Sequence, residues 1–167
     1  DRLNVTAGGT VHFTSQSLTL TADAQYATGV FMKDDGAGYG GFTRTGGTGA
    51  EHIAILADLT NGTIVDTDIG STSVAGDLVA SGCEDVGNGI FLVWMIGNIN
   101  ETATFNQIFT SESATPSWDV AGRPSYSATA GADVLIFGAQ MEVGTYNKLS
   151  SYIPTGSGSA VRAADIV

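Results

Sequence analysis

The chain has 167 residues, 17 acidic against 6 basic side chains, a net charge of −11 and only 14% charged residues, against roughly 25% in an average globular protein. Sequence-neutral nucleic-acid binding needs Lys and Arg to neutralise phosphates, and acidic lipids repel an anionic surface, so the charge balance disfavours both classes of partner. A chain of this length reads as a single domain, 1–167, large enough for a real core. Its 23 glycines, with Ser, Thr, Asn and Gln supplying the polar surface, suit strands and tight turns. The acidity is compatible with solubility, a calcium site or a neutral glycan, and selects none of them.

In chain order, Val11 and Phe13 begin an alternating pattern, and Leu18 and Leu20 alternate with threonines as in a half-buried strand. YATGVFMK (Tyr26 to Lys33) is a third strand, ended by Asp34-Asp35-Gly36. From Asp34 to Gly49 the chain is glycine-rich and predicts a loop around a short strand at Tyr39 to Thr45. HIAILADL and TIVDTD flank Asn61-Gly62, the strongest hairpin signal in the chain. Leu78 to Val86 is a weaker strand holding Cys83, and Gly87-Asn88-Gly89 turns into IFLVWMIGN. That strand is apolar on both faces, which predicts a central position covered on both sides, with Trp94 in the core.

Glu101 to Thr110 alternates again, Ser111 to Ser125 is irregular, and Tyr126 to Ala130 predicts a short strand. The last strand begins at Asp133, with Leu135, Phe137, Ala139 and Met141 on the face suited to a core. Ten to twelve short strands without a helix predict an all-β, antiparallel jelly-roll β-sandwich.

A single cysteine, Cys83, excludes an intrachain disulfide framework and a Cys-rich zinc site. With His12 and His52 as the two histidines, it reads as a small half-buried strand residue rather than a catalytic thiol. The apolar run Gly89 to Gly97 is far short of the roughly 20 residues that span a bilayer. No charged segment followed by an apolar one marks a signal peptide. The absence of an initiator Met reads as a fragment or a processed product.

At the C-terminal end stand GAQMEVG (Gly138 to Gly144), SSYIPT (Ser150 to Thr155) and RAAD (Arg162 to Asp165). This pattern resembles the end of concanavalin-like, carbohydrate-binding-module-like domains of phage tail and virion proteins, and modules appended to some polysaccharide-degrading enzymes. The resemblance extends more loosely to YATGVFMK and to GNGIF (Gly87 to Phe91). There this chain has Ile90 and Leu92 where similar sequences carry Trp and Arg, so no ligand role passes to those two positions. The resemblance implies a β-sandwich that binds a glycan or bacterial surface polysaccharide, at a virion surface or outside the cell.

Stacking on a sugar needs flat aromatic faces with amide, carboxylate or Arg groups beside them. Tyr39 and Arg44 in the glycine-rich segment, and Trp118, Arg123 and Tyr126 in and beside the irregular one, are the candidate ligand-binding residues. Trp118 in a loop also reads as a loop anchor or a partner contact. Gln140 and Glu142 share a face of the last strand and read first as structural. Asp34-Asp35 and Asp66-x-Asp68 offer loop carboxylates without EF-hand spacing, so a structural calcium is an expectation with no assigned ligands. The glutamates Glu51, Glu84, Glu101, Glu112 and Glu142 are scattered, and no nucleophile elbow, HExxH or phosphate-binding loop is present. The sequence therefore predicts a non-catalytic binding module. The alternatives are a virion structural or decoration protein that packs against other virion proteins or itself, and an accessory module of a polysaccharide-degrading enzyme.

Overall fold

The computed structural model describes residues 1–71 and 77–143, which contain strands, turns and bends and no helix. In chain order the strands are β1 (Arg2–Leu3), β2 (Phe13–Thr19), β3 (Gln25–Asp35), β4 (Tyr39–Gly46), β5 (His52–Asp58) and β6 (Thr63–Ile69). They continue with β7 (Leu78–Gly87), β8 (Ile90–Asn98), β9 (Ala103–Ser111), β10 (Ser117–Trp118), β11 (Pro124–Ser125) and β12 (Asp133–Val143). A first five-stranded sheet runs β1-β12-β3-β8-β7 and a second runs β2-β9-β4-β5-β6, while β10 and β11 form a small separate hairpin. Neighbours within both sheets are antiparallel. The protein is an all-β sandwich.

The turns follow from local chemistry. Between β5 and β6 the Asp58 carboxylate accepts from the Thr60 and Asn61 amides at 2.8 and 2.9 Å, and Gly62 takes a φ of 68°. Between β7 and β8, Gly87, Asn88 and Gly89 all have positive φ, the conformation that tight hairpins demand.

Side chains alternate across each strand, and the inward sets form the core. Val30 and Met32 of β3, Phe91, Val93 and Met95 of β8, and Val134 and Ile136 of β12 pack against Phe42 of β4 and Ile53 and Ile55 of β5. Burying a side chain of this kind stabilises by about 1.5–3 kcal/mol.

Three sequence expectations are corrected here. On β12, Val134 and Ile136 point inward and Phe137 outward, 44% exposed. A bulge then separates the pairs Phe137↔Phe31 and Gln140↔Gly29, two intervening residues on β12 against one on β3, with Gly138 at φ 61°. The extra residue reverses the alternation, so Met141 turns inward, where Asn106 Nδ2 donates to its sulfur at 3.5 Å. On β8, Leu92 and Trp94 lie on the outer face and are half-buried rather than core. Residues 126–130 form no strand; instead the Tyr126 amide donates to the Thr10 carbonyl at 3.0 Å. SSYIPT and RAAD lie outside the described residues, and among those described no helix is long and apolar enough to cross a membrane.

Gly41 of β4 shows how closely the second sheet is filled. A Cβ there would meet the Ile55 carbonyl oxygen at 2.0 Å and Phe109 Cε2 at 2.9 Å, one of them backbone. Gly41→Ala is expected to lose about 3 kcal/mol of stability, read as a lower urea midpoint. An unchanged midpoint would show that β4 and β5 are more loosely paired than described.

Candidate ligand-binding face

The residues singled out from sequence are distributed over different parts of the sandwich. Residues 112–126 run across the outside of the second sheet and cover Phe109, which faces outward on β9 yet is fully buried. Trp118 sits edge-on to the Phe109 ring, with centroids 5.8 Å apart, and its Nε1 donates to Asp66 Oδ2 at 3.1 Å. Ala121 O accepts from Thr43 Oγ1 at 3.2 Å. Arg123 donates to Asp119 Oδ2 through Nε at 2.7 Å and lies 4.5 Å over the Phe13 ring. Burial alone would raise the Asp119 carboxyl, but the Arg123 and Ala121 hydrogen bonds outweigh it and hold it below the usual range. The Tyr126 hydroxyl pairs with Thr110 Oγ1 at 2.7 Å, and burial raises its ionisation above that of a free phenol. Tyr39, half-buried, stands on this same outward face between Asp58 and Ser111.

Arg44 departs from the sequence expectation. It lies in a regular strand, alternating with Thr43 and Thr45, and so points between the sheets, 0% exposed. Its Nη1 donates to the Gly97 carbonyl at 3.0 Å, and its Nη2 to the Tyr26 carbonyl at 3.5 Å and to Thr28 Oγ1. Burial lowers its pKa to about 10, against the attraction of Tyr26. Arg44 is a strut between the sheets and is out of a ligand's reach.

The outside of the first sheet is built differently. Register sets Gln140, Gly29, Trp94 and Gly82 in one row across β12, β3, β8 and β7. The next row is Phe137, Phe31, Leu92 and Glu84. Trp94 thus has a glycine on each flank. Its indole rests against Gly82, where an added Cβ would meet Cε2 and Cζ2 at 2.6 Å. Its Nε1 donates to Glu84 Oε1 at 3.1 Å, which fixes the ring against the sheet. Phe31 and Phe137 stack at 5.1 Å and 7° beside it. Gln140 donates to Glu142. One row further on, Ala27 and Ile96 are 0% and 1% exposed, so the open part of the face runs from Trp94 towards Glu84 and Phe137.

An aromatic ring laid against a sheet beside an exposed carboxylate can bind a ligand that has one apolar face and a hydroxylated rim. Sequence alone had no access to this arrangement. Gly29, Gly82 and Trp94 become neighbours only through pairing, and the one local signal was a Trp in a strand that has two apolar faces. Burial pushes the Cys83 thiol up to about 11, which keeps it protonated near neutral pH.

The acids expected in loops lie on strands, Asp34 and Asp35 at the end of β3 and Asp66 and Asp68 on β6, and are occupied by the protein itself. Asp34 accepts from the Gly36 and Gly38 amides at 3.0 and 2.7 Å, Asp35 pairs with Arg2, and Asp66 holds Trp118. Asp68 lies 2.6 Å from His52 Nε2, while His52 Nδ1 faces the Gly49 carbonyl at 3.0 Å. Among the described residues no group of three or more His, Cys, Asp or Glu is placed to hold a metal ion.

At one end of the sandwich Glu51 is buried and accepts from the Asn100 amide. Burial raises its pKa, opposed by that hydrogen bond and aided by Glu101, Asp77 and Asp23. An acid raised in the folded state binds its proton more tightly there than when unfolded, so its charge costs stability as pH climbs above the free value. Glu51→Gln keeps the acceptor and removes the charge. The urea midpoint at pH 7 is expected to rise, with the gain vanishing below about pH 4. A gain that persists in acid would mean that the charge is not its source.

Compared with models of known protein families and with curated proteins, the chain matches none.

Proposed function

We propose that this sandwich is a non-catalytic carbohydrate-binding module, concanavalin-like and of jelly-roll type, that attaches a phage virion or tail protein to host-surface glycan. The observation that carries the reading is Trp94, laid between Gly29 and Gly82 and tied to Glu84 on the outside of the first sheet. A sugar ring offers C–H groups to such an indole, while hydroxyls at its rim donate to the carboxylate. The resemblance of GAQMEVG, SSYIPT and RAAD to lectin-like phage domains points the same way. Trp118, Arg123 and Tyr126 have their polar groups taken up by Asp66, Asp119 and Thr110, which leaves Trp94 the better platform.

A second reading draws on the same face. Phe137, 44% exposed and stacked on Phe31 beside half-buried Leu92 and Leu135, is an apolar strip of the kind that marks protein contacts. It favours a virion structural or decoration protein in which the sandwich packs against a neighbour.

A glycan and bacterial-polysaccharide array separates the two, run with the wild type, Trp94→Ala and Trp118→Ala. The wild type is expected to bind a defined glycan, and Trp94→Ala to bind it at least about tenfold more weakly, the equivalent of losing ~1.4 kcal/mol. Trp118→Ala should keep the ligand and lose thermal stability instead, because it uncovers Phe109. Silence of the folded wild type across the array, or full binding by Trp94→Ala, would defeat the carbohydrate reading at this face. Silence combined with self-association that Phe137→Ser abolishes would favour the packing role.

A further inference from the structure

Resting on that reading, we infer that the Trp94 face selects neutral hexopyranose glycans and rejects sulfated or uronate-rich ones. The argument begins with the cations. Of the basic residues described, Arg44 is fully buried. Arg2 is committed to Asp35 and Asp133, and Arg123 to Asp119. Lys33 remains, on the same outer face as Trp94. Its Cε lies at the β7–β8 turn, 3.9 Å from where a Cβ on Gly89 would stand, three residues along the chain from Leu92, the partner of Glu84, a separation of about 10 Å. That exceeds the ~8 Å over which an exposed charge acts at physiological salt.

The polar group that meets the indole is an acceptor. Glu84 is exposed, and its Oε1 already takes the indole N–H. A carboxylate can only accept, so whatever meets Oε2 has to bring an O–H or N–H. A sulfate or carboxylate at that place sets like charges together, with no free cation among the described residues near enough to offset them, in a chain of net charge −11. A neutral pyranose with equatorial hydroxyls meets both demands. Its C–H face lies on Trp94 and a rim hydroxyl donates to Glu84.

The test uses matched pairs: a neutral galactan and its sulfated form, and a neutral β-glucan and its carboxymethylated form. Each is titrated into the wild type, Trp94→Ala, Glu84→Gln and Glu84→Lys at low and physiological salt. The wild type is expected to bind one neutral member at least about tenfold more tightly than its anionic partner. Glu84→Gln should narrow that ratio and Glu84→Lys should reverse it, with the difference fading as salt rises. Equal or tighter binding of an anionic member, abolished by Trp94→Ala, would overturn the selectivity and leave the carbohydrate reading standing. No binding to any member of either pair would defeat both.

Discussion

The strict alternation of side chains along a strand is the constraint on which this sandwich depends. Each residue of β3, β8 and β12 must face either the second sheet or the outside, and a shift of one position exchanges the two sets. Val30, Met32, Val93 and Met95 take the inside, which commits Gly29, Phe31, Leu92 and Trp94 to the outside. The core and the candidate face are therefore two consequences of one register. The bulge at Gly138 shows what relaxing the rule requires: one residue added on β12 so that Val134, Ile136 and Met141 can all turn inward.

Arg44 is a charged side chain held between the sheets, and magnitudes explain how it is tolerated. Withdrawing a cation from water costs several kcal/mol even after the protein relaxes. Hydrogen bonds to a charged group return about 1.5–3 kcal/mol each, and Arg44 makes three, to Gly97, Tyr26 and Thr28. The two sides come close to cancelling. What the residue contributes is position, since one guanidinium anchored on β4 grips both β3 and β8 and sets how the sheets face. A pKa lowered to about 10 records the burial and leaves the group charged at neutral pH.

The strands were readable from sequence because turns punctuate them. Asn61-Gly62 and Gly87-Asn88-Gly89 supply the positive φ values that close the two hairpins, and the alternation between such turns locates β5, β6, β7 and β8. What stayed hidden was which way each alternation points. Along IFLVWMIGN both sets are apolar, so the sequence contains no preference between Val93 and Trp94 for the core. Along β12 the bulge breaks the period at Gly138, and counting from Met141 assigns Phe137 to the wrong face. Arg44 was misread for a related reason: its glycine-rich surroundings suggested a loop, whereas Gly41 is there because the Ile55 carbonyl approaches too closely for a Cβ.

The two tryptophans make the point about binding sites. A Trp in a Gly/Ser/Pro loop attracts attention as a ligand contact, but residues 112–126 must cover Phe109, and Trp118 is the side chain large enough to do it while giving its N–H to Asp66. A Trp in an apolar strand suggests core, but the first sheet has only one inner face, already filled by smaller side chains. Trp94 is left outside, where its N–H goes to an exposed carboxylate instead of a buried partner. Flanking glycines then matter more than the strand's own composition. With Gly29 on one side and Gly82 on the other, the indole can rest against the sheet, whereas bulky neighbours would hold it upright among them. Whether an exposed strand aromatic can serve as a platform is thus decided by the residues opposite it on the two adjacent strands, information that only pairing supplies.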